Sequence, residues 1–332
     1  YKKYLEENME TKTSLPVLAA GAREPRFLVL GERGWIGAQM VRILQKKHIQ
    51  TVFLEPGARP EQGAAQFEAA LRELGVTHVV SLIGRTHGTT ASGRSFATID
   101  YLEQPGKLAE NVRDNLYAPL LVAAVCSRLG VHLTYLGTGC IFEYDAEHRL
   151  GDVSCGFGEA DVPNFLGSSY SVVKGATDQL MQLLFGKHVL NLRIRMPITS
   201  ESHPRNFVTK ILGYAKICSV PNSMSNLDEL LPLAVDLALR KTVGTLNFTN
   251  PGVISHNEVL EMYRSIVDPA FEWENFSEAE QAQVLAAGRS NNCLDTQRLR
   301  QLCPAVQDIG TSVRAALLRY AETKKKGESA RE

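Results

Sequence analysis

Past a polar N-terminal stretch, the apolar residues of this chain follow two alternating rhythms. The run RFLVLG from Arg26 is short, continuous and ends in glycine, as a buried strand does. WIGAQMVRILQKKH from Trp35 then spaces its apolar residues three and four apart, as an amphipathic helix does, and a second short run, QTVFLE, follows at Gln50. Strand, helix and strand make one βαβ unit. The alternation continues with a helix near Glu61 to Leu74, the strand THVVSLIG, a long helix from about Lys107 to Leu129, the strand VHLTYLG, a helix from Ser169 to Phe185 and the strand VLNLRIR. This pattern predicts an α/β protein with an open parallel sheet covered on both faces. Beyond Arg195 the segments shorten: NFVTKILGYAK, NLDELLPLAVDLALR, TLNFTN, SHNEVLEMYRSIV and a last helix around Ile309 to Thr323 predict a smaller C-terminal α/β lobe. The expected division is a flexible lead-in over 1–25, a sheet domain over 26–195 and mainly a substrate lobe over 196–332, with no repeat or low-complexity linker between the last two.

Composition narrows the partners. The 332 residues, 44% apolar and 22% charged, are enough to bury a full core, and 36 basic residues balance 36 acidic ones. No field draws the molecule toward nucleic acid or a membrane surface, so the expected partner is a small molecule. Six cysteines lie scattered without CxxC spacing, which argues against a metal site and a disulfide framework and for a reducing, cytoplasmic setting. The opening residues lack the apolar stretch of a secretory signal, and a start at Tyr1 is expected of a piece of a longer product.

Chemistry first appears where the first strand hands over to the first helix, at Gly31-Glu-Arg-Gly34-Trp-Ile-Gly37. Glycines there allow a tight turn and close approach, and the backbone of Gly31, Gly34, Trp35, Ile36 and Gly37 can hold a pyrophosphate at the helix N-terminus. The GxxGxxG spacing resembles the extended short-chain dehydrogenase/reductase superfamily, which implies a Rossmann-like doubly wound parallel sheet. Glu55 could claim a ribose 2′-hydroxyl for NADH, whereas Arg33 and Arg59 could clamp a 2′-phosphate, and the balance favours NADPH. Tyr170 and Lys174 stand one helical turn apart, where a cation can stabilise a phenolate that trades protons with a substrate oxygen; Thr138 at the preceding strand end can bond the same oxygen. These three match the superfamily's Ser/Thr, Tyr, Lys triad. Cys140 follows two residues later, either a small core filler or a base at the mouth of the sheet.

The stretches GTGCIFEYD, YSVVK, RIRMPITSESHPRNFVTKI, PNSMSNLDELLP, NFTNPGVISHNEVLEMY and RSNNCLD resemble the nucleotide-rhamnose synthase/epimerase-reductase family, over about Arg26 to Tyr320. The resemblance implies a bifunctional UDP-4-keto-6-deoxy-D-glucose 3,5-epimerase and NADPH-dependent 4-keto reductase that makes UDP-L-rhamnose. It also implies a homodimer, as in related enzymes. Related GDP-fucose synthases use a cysteine at the position of Cys140, and Lys210 matches the family's returning acid, although its position alone reads as a solvated helix lysine. Arg289 matches an arginine that grips the diphosphate, and Asn206, Asn222, Ser223 and Met224 match substrate-contact loops that are also ordinary turn chemistry. His256 belongs to a helix start capped by Ser255 and Glu258 rather than to catalysis. One glycine fingerprint implies no dehydratase domain. Two alternatives stay open: a 4-keto reductase acting on a pre-epimerised sugar, with Cys140 as filler, and a non-catalytic cofactor-binding regulatory subunit.

Overall fold

The structure, a computed structural model, describes residues 24–55, 59–60 and 63–329, with side chains to residue 324; most of the expected lead-in lies outside the described residues. Six parallel strands form the central sheet: β1 (Arg26–Leu30), β2 (Gln50–Val52), β3 (His78–Ser81), β4 (His132–Thr138), β5 (Val189–Ile194) and β6 (Gly244–Asn247), in the order β6-β5-β4-β3-β1-β2. Helices α1 (Trp35–Lys46), α2 (Ala64–Glu73), α3, α4 (Ser169–Phe185), α5 (Phe207–Leu212), α6 (Leu227–Leu239), α7 (His256–Ile266) and α8 (Ile309–Ser329) accompany them. Helix α3 runs from Leu108–Val112 through a π turn, Arg113–Tyr117, into Ala118–Leu129.

Alternation along the strands decides which helix covers which face. Phe27 and Val29 of β1 pack with Met40 and Leu44 of α1 and with Leu230, Leu231 and Ala234 of α6. Their neighbours Leu28 and Leu30 face Phe67 and Leu71 of α2, Val122 and Cys126 of α3 and Met181 of α4. A separate cluster of Ile198, Val208, Ile211, Val259, Leu260 and Val313 joins α5, α7 and α8 into the smaller lobe.

The chain crosses the expected boundary at residue 195 more than once. After α5 it returns to the sheet, where α6 covers one face and Gly244–Asn247 becomes the edge strand, Leu246 pairing with Leu192. The composition of α6 explains the return. LDELLPLAVDLAL is apolar almost all round, and such a helix is stable only when buried on several sides.

Strand β1 has β2 on one side and β3 on the other, so successive connections leave it in opposite directions. That arrangement opens a crevice beyond the carboxyl ends of β1 and β3.

Candidate active site

At this crevice the glycine turn leaves little room for a side chain. Gly31 has φ 87°, in the left-handed region, and a Cβ on Gly37 would stand 2.0 Å from the Gly31 carbonyl oxygen, so the helix packs directly on the turn. Gly34 is the N-cap and offers no side chain to the helix N–H groups, and the first turn carries no acid. Those free N–H groups and the helix dipole suit a diphosphate, which is how the site fits a dinucleotide. Gly31, Gly34, Trp35, Ile36 and Gly37 all line a cavity of about 430 Å³ that runs on toward the smaller lobe. Arg33, Glu55 and Arg59 are exposed and lie outside its lining.

Thr138, Tyr170 and Lys174 line the same cavity. Thr138 ends β4. Ser168 caps α4, accepting from the Ser171 N–H at 3.1 Å, and so fixes the first turn that carries Tyr170. The buried Tyr170 hydroxyl is hydrogen-bonded to Thr138; burial pushes its pKa up, the neighbouring Cys140 adds to the rise, and the Thr138 bond opposes it. The expected depression of Tyr170 by Lys174 is therefore not what the fold provides. Lys174 instead donates to the Tyr135 hydroxyl and lies 4.7 Å from that ring's centroid. Burial brings Lys174 down to about 8, against the opposing pull of Asp178 and Cys140. Asp178, one turn further along α4, is clamped to β5 by the fully buried Arg193, Nη2 to Oδ2 at 2.6 Å.

Cys140 faces the cavity because its successors turn inward. Ile141 and Phe142 are fully buried with Phe157 and Leu294, while the Cys140 N–H donates to Thr138 Oγ1 at 3.0 Å and its side chain packs near Tyr170, Tyr101 and Leu102. Lys210, in the last turn of α5, also lines the cavity; burial first, then Arg205 and Arg289, lower its pKa. Arg289 reaches the lining too, with Nη2 on Asp100 Oδ2 at 2.6 Å and Nη1 donating to the Ala287 carbonyl at 2.7 Å.

The four other expected substrate contacts stay away from the cavity. Asn206 is fully buried as the N-cap of α5, accepting from Val208 N–H and donating to the carbonyls of Thr199 and Glu201. Asn222 and Ser223 are likewise buried; Asn222 Oδ1 and the Ser223 carbonyl accept from Arg195, and Ser223 Oγ accepts from Leu294 N–H. Met224 is core in the smaller lobe. His256 follows Ser255, whose capping box with Glu258 is complete, and its ring lines the cavity edge-on to Phe207.

Sequence reasoning passed over several lining residues: His87, Asn115, Arg195 and Arg205. In the stretch PRNF it singled out Asn206, but the helix cap consumes that side chain and leaves Arg205 to face the cavity. Arg195 stands just past the carboxyl end of β5, where ligand-facing groups of open α/β sheets gather, a positional signal that was readable.

Over 289 residues the chain is 51% identical to a protein of Acanthamoeba polyphaga mimivirus, covering 87% of this chain and 96% of that one. The viral protein's crystal structure, described as a UDP-rhamnose synthase, matches with a TM-score of 0.83 over 90% of this chain and 100% of that chain. A bifunctional dTDP-4-dehydrorhamnose 3,5-epimerase/dTDP-4-dehydrorhamnose reductase of Arabidopsis thaliana is 41% identical over 288 residues, 86% of this chain and 90% of that one. This chain belongs to the nucleotide-rhamnose epimerase/reductase family. The wider fold of this epimerase/reductase extends to a Bacillus anthracis dTDP-4-dehydrorhamnose reductase solved with NADP, with a TM-score of 0.69 at 18% identity, covering 91% and 99% of the two chains. No family model matches the chain.

Proposed function

We infer that the protein converts UDP-4-keto-6-deoxy-D-glucose to UDP-L-rhamnose, inverting C3 and C5 and then reducing C4 with NADPH. The observation that carries this reading is the meeting of two chemistries in one cavity: Cys140 and Lys210, which ketone reduction does not need, beside Thr138, Tyr170 and Lys174, which it does.

The C4 carbonyl acidifies the protons on C3 and C5. In the proposed sequence the Cys140 sulfur takes one of them, the carbon–hydrogen electron pair passes to the C4 oxygen, and Lys210 returns a proton to the other face of the carbon. Burial and two nearby guanidinium groups already ease the Lys210 proton toward release. Solvent then removes the proton from the thiol and restores the one lost by the lysine. Thr138 and Tyr170 donate hydrogen bonds to the oxygen that gathers charge. Bound NADPH supplies the hydride for C4. Tyr170 gives the C4 oxygen its proton, and the raised pKa of its phenol keeps that proton in place until the oxygen becomes strongly basic. Arg289 with Arg205 forms the cationic end of the cavity suited to the sugar's diphosphate.

Among the described residues no helix is long and apolar enough to cross a membrane, and all six cysteines are unpaired, which supports a cytoplasmic setting. Exposed apolar side chains on α3 (Leu108, Val112) and α4 (Val172, Leu183) support a homodimer, measurable by sedimentation. The test of function is incubation of the protein with UDP-4-keto-6-deoxyglucose and NADPH in deuterated water. Expected are UDP-rhamnose and deuterium at C3 and C5; a 4-hydroxy sugar without deuterium at either carbon leaves only a reductase.

A further inference from the structure

Two arginines at the cationic end of the cavity are held in opposite ways. Arg289 is held by charge: its Nη2 lies 2.6 Å from Asp100 Oδ2, and its Nη1 donates to the Ala287 carbonyl. Arg205 lines the cavity yet is exposed, and it pairs with no carboxylate of the described residues; nearby Glu201 is turned to Arg42. Two histidines hold it instead. Its Nη2 lies 2.5 Å from His87 Nε2, and its backbone N–H donates to His203 Nδ1 at 3.1 Å. A guanidinium and a backbone N–H can only donate, so each ring meets Arg205 with a lone pair and both rings are neutral. The two rings are therefore opposite tautomers. His87 keeps its proton on Nδ1, 3.4 Å from Thr86 Oγ1, and His203 keeps its proton on Nε2.

The histidines come from different parts of the molecule, and each is itself anchored. His87 lies in the segment that leaves β3 and lines the cavity. Gly88 beside it packs so closely on the Tyr101 ring that a Cβ would come within 2.5 Å, which fixes the backbone that presents the imidazole. His203 lies in the loop before α5, where its N–H donates to Thr209 Oγ1 at 3.3 Å and its carbonyl accepts from the Asn206 N–H at 2.9 Å. Its ring stacks on Trp35 of the dinucleotide turn, with centroids 5.1 Å apart and planes 4° from parallel. Burial first, then the Arg205 charge, lowers the pKa of both rings; Arg85 and Lys210 add to the fall at His87, and Glu201 opposes it at His203. The surroundings thus favour the neutral forms that the hydrogen bonds require.

We propose that His87 and His203 are positioning residues for the sugar's diphosphate, a pair of neutral acceptors that fix Arg205 in the cavity and leave its charge whole. The inference rests on the reading of Arg205 as part of the diphosphate end. A free arginine side chain loses rotamers when it meets a ligand, and that loss weakens binding; a side chain ordered beforehand avoids it. A carboxylate would order Arg205 equally well, but it would offset the charge and repel the phosphates. Imidazole does the first without the second. Asp100 already offsets Arg289, so Arg205 is the arginine that meets the diphosphate with its charge uncancelled. One Nη2 hydrogen is taken by His87; among the described residues the other guanidinium N–H groups of Arg205 find no acceptor, which leaves them for phosphate oxygens.

The experiment measures binding by calorimetry on the full chain with NADP⁺ bound, with UDP as the probe and uridine, which lacks the phosphates, as the control. His87→Leu removes one acceptor, and His203→Phe removes the other while keeping a ring to stack on Trp35. His87→Glu keeps a bond but offsets the charge, and His87→Asn restores a neutral acceptor. The first three should each weaken UDP about tenfold and leave uridine unmoved, and His87→Asn should recover most of the loss. The KM of the keto sugar should rise in proportion, with kcat within about threefold of normal. In proton–nitrogen correlation spectra of histidine-labelled protein, His87 should carry its proton on Nδ1 and His203 on Nε2, and Arg205→Met should release His87 from its single tautomer. Unchanged UDP affinity in His87→Leu and His203→Phe protein that still binds NADP⁺ overturns the proposal. So does a proton on His87 Nε2, a His87→Glu variant that binds UDP as well as His87→Asn does, or an equal loss of UDP and uridine, the mark of a merely structural role. If Arg205→Met itself leaves UDP affinity unchanged, the diphosphate reading of Arg205 fails and the proposal falls with it. If Arg205→Met weakens UDP and the histidine variants do not, that reading stands and the proposal alone falls.

Discussion

The two walls of the cavity are built in different ways. Thr138, Tyr170 and Lys174 sit on β4 and on the first two turns of α4, an element whose own cap and whose Arg193–Asp178 clamp fix it to the sheet. Cys140, Lys210, Arg205 and Arg289 instead come from a turn, a short helix, a loop and a second loop near the C-terminal third of the chain, and side-chain hydrogen bonds from Ser290 and Asn292 to the Gly139 and Phe142 carbonyls tie the first of these to the last. Proton donation to one oxygen asks for a single geometry, which regular elements supply by their spacing. Inverting two carbons asks for groups that surround a sugar ring, and no single element can surround it.

Walls built so differently can be damaged separately. The largest effect is expected from Tyr170→Phe, which should lower NADPH oxidation on the keto sugar by about 10²–10⁴-fold while deuterium uptake falls much less; equal losses would erase the distinction. Cys140→Ala should remove uptake at C3 and C5 and leave reduction of the pre-epimerised ketone within about threefold of normal, as read by proton NMR and NADPH absorbance. Gly37→Ala damages neither wall. Its Cβ would meet the Gly31 backbone at 2.0 Å and push α1 off the turn, so cofactor affinity should weaken at least about tenfold by fluorescence titration.

Lys174 offers a pH test of how tightly the first wall is buried. Its native pKa, about 8, lies below its ordinary 10.5, so between those values the unfolded chain binds more protons than the native one, and this group makes stability rise with pH across that window. Lys174→Met should flatten the rise in denaturant titrations; an unchanged slope assigns it to other groups. The smallest effect belongs to Asn206→Ala, expected to cost about 1–3 kcal/mol of stability through the lost helix cap and buried bonds with no change in KM for the sugar. A raised KM would return Asn206 to the substrate site.

Legibility in the sequence followed the same division. The βαβ pattern, the glycine turn and the Tyr170–Lys174 spacing depend on contacts close along the chain, and elements formed where their apolar period put them: Ser169–Phe185 as a helix, the first six residues of VLNLRIR as β5. Distant contacts were less legible. TLNFTN carries no mark that says which sheet it joins, so β6 was expected in the smaller lobe and stands in the main sheet. PNSM reads as turn chemistry near a ligand, but its Asn side chain is spent on Arg195 and its Ser hydroxyl on the Leu294 N–H, partners found only by folding.

The sequence by itself determined the kind of sheet, the place of the dinucleotide turn and the residue types able to move protons at a ketone, because periodicity and short spacings encode backbone geometry. Only the tertiary structure decided that Lys174 lies on Tyr135 instead of against Tyr170, that Arg205 faces the cavity in place of Asn206, and that the buried Arg195 donates to a cage of neutral acceptors. Each of those turns on which groups lose water together, and that is a property of the packed molecule as a whole.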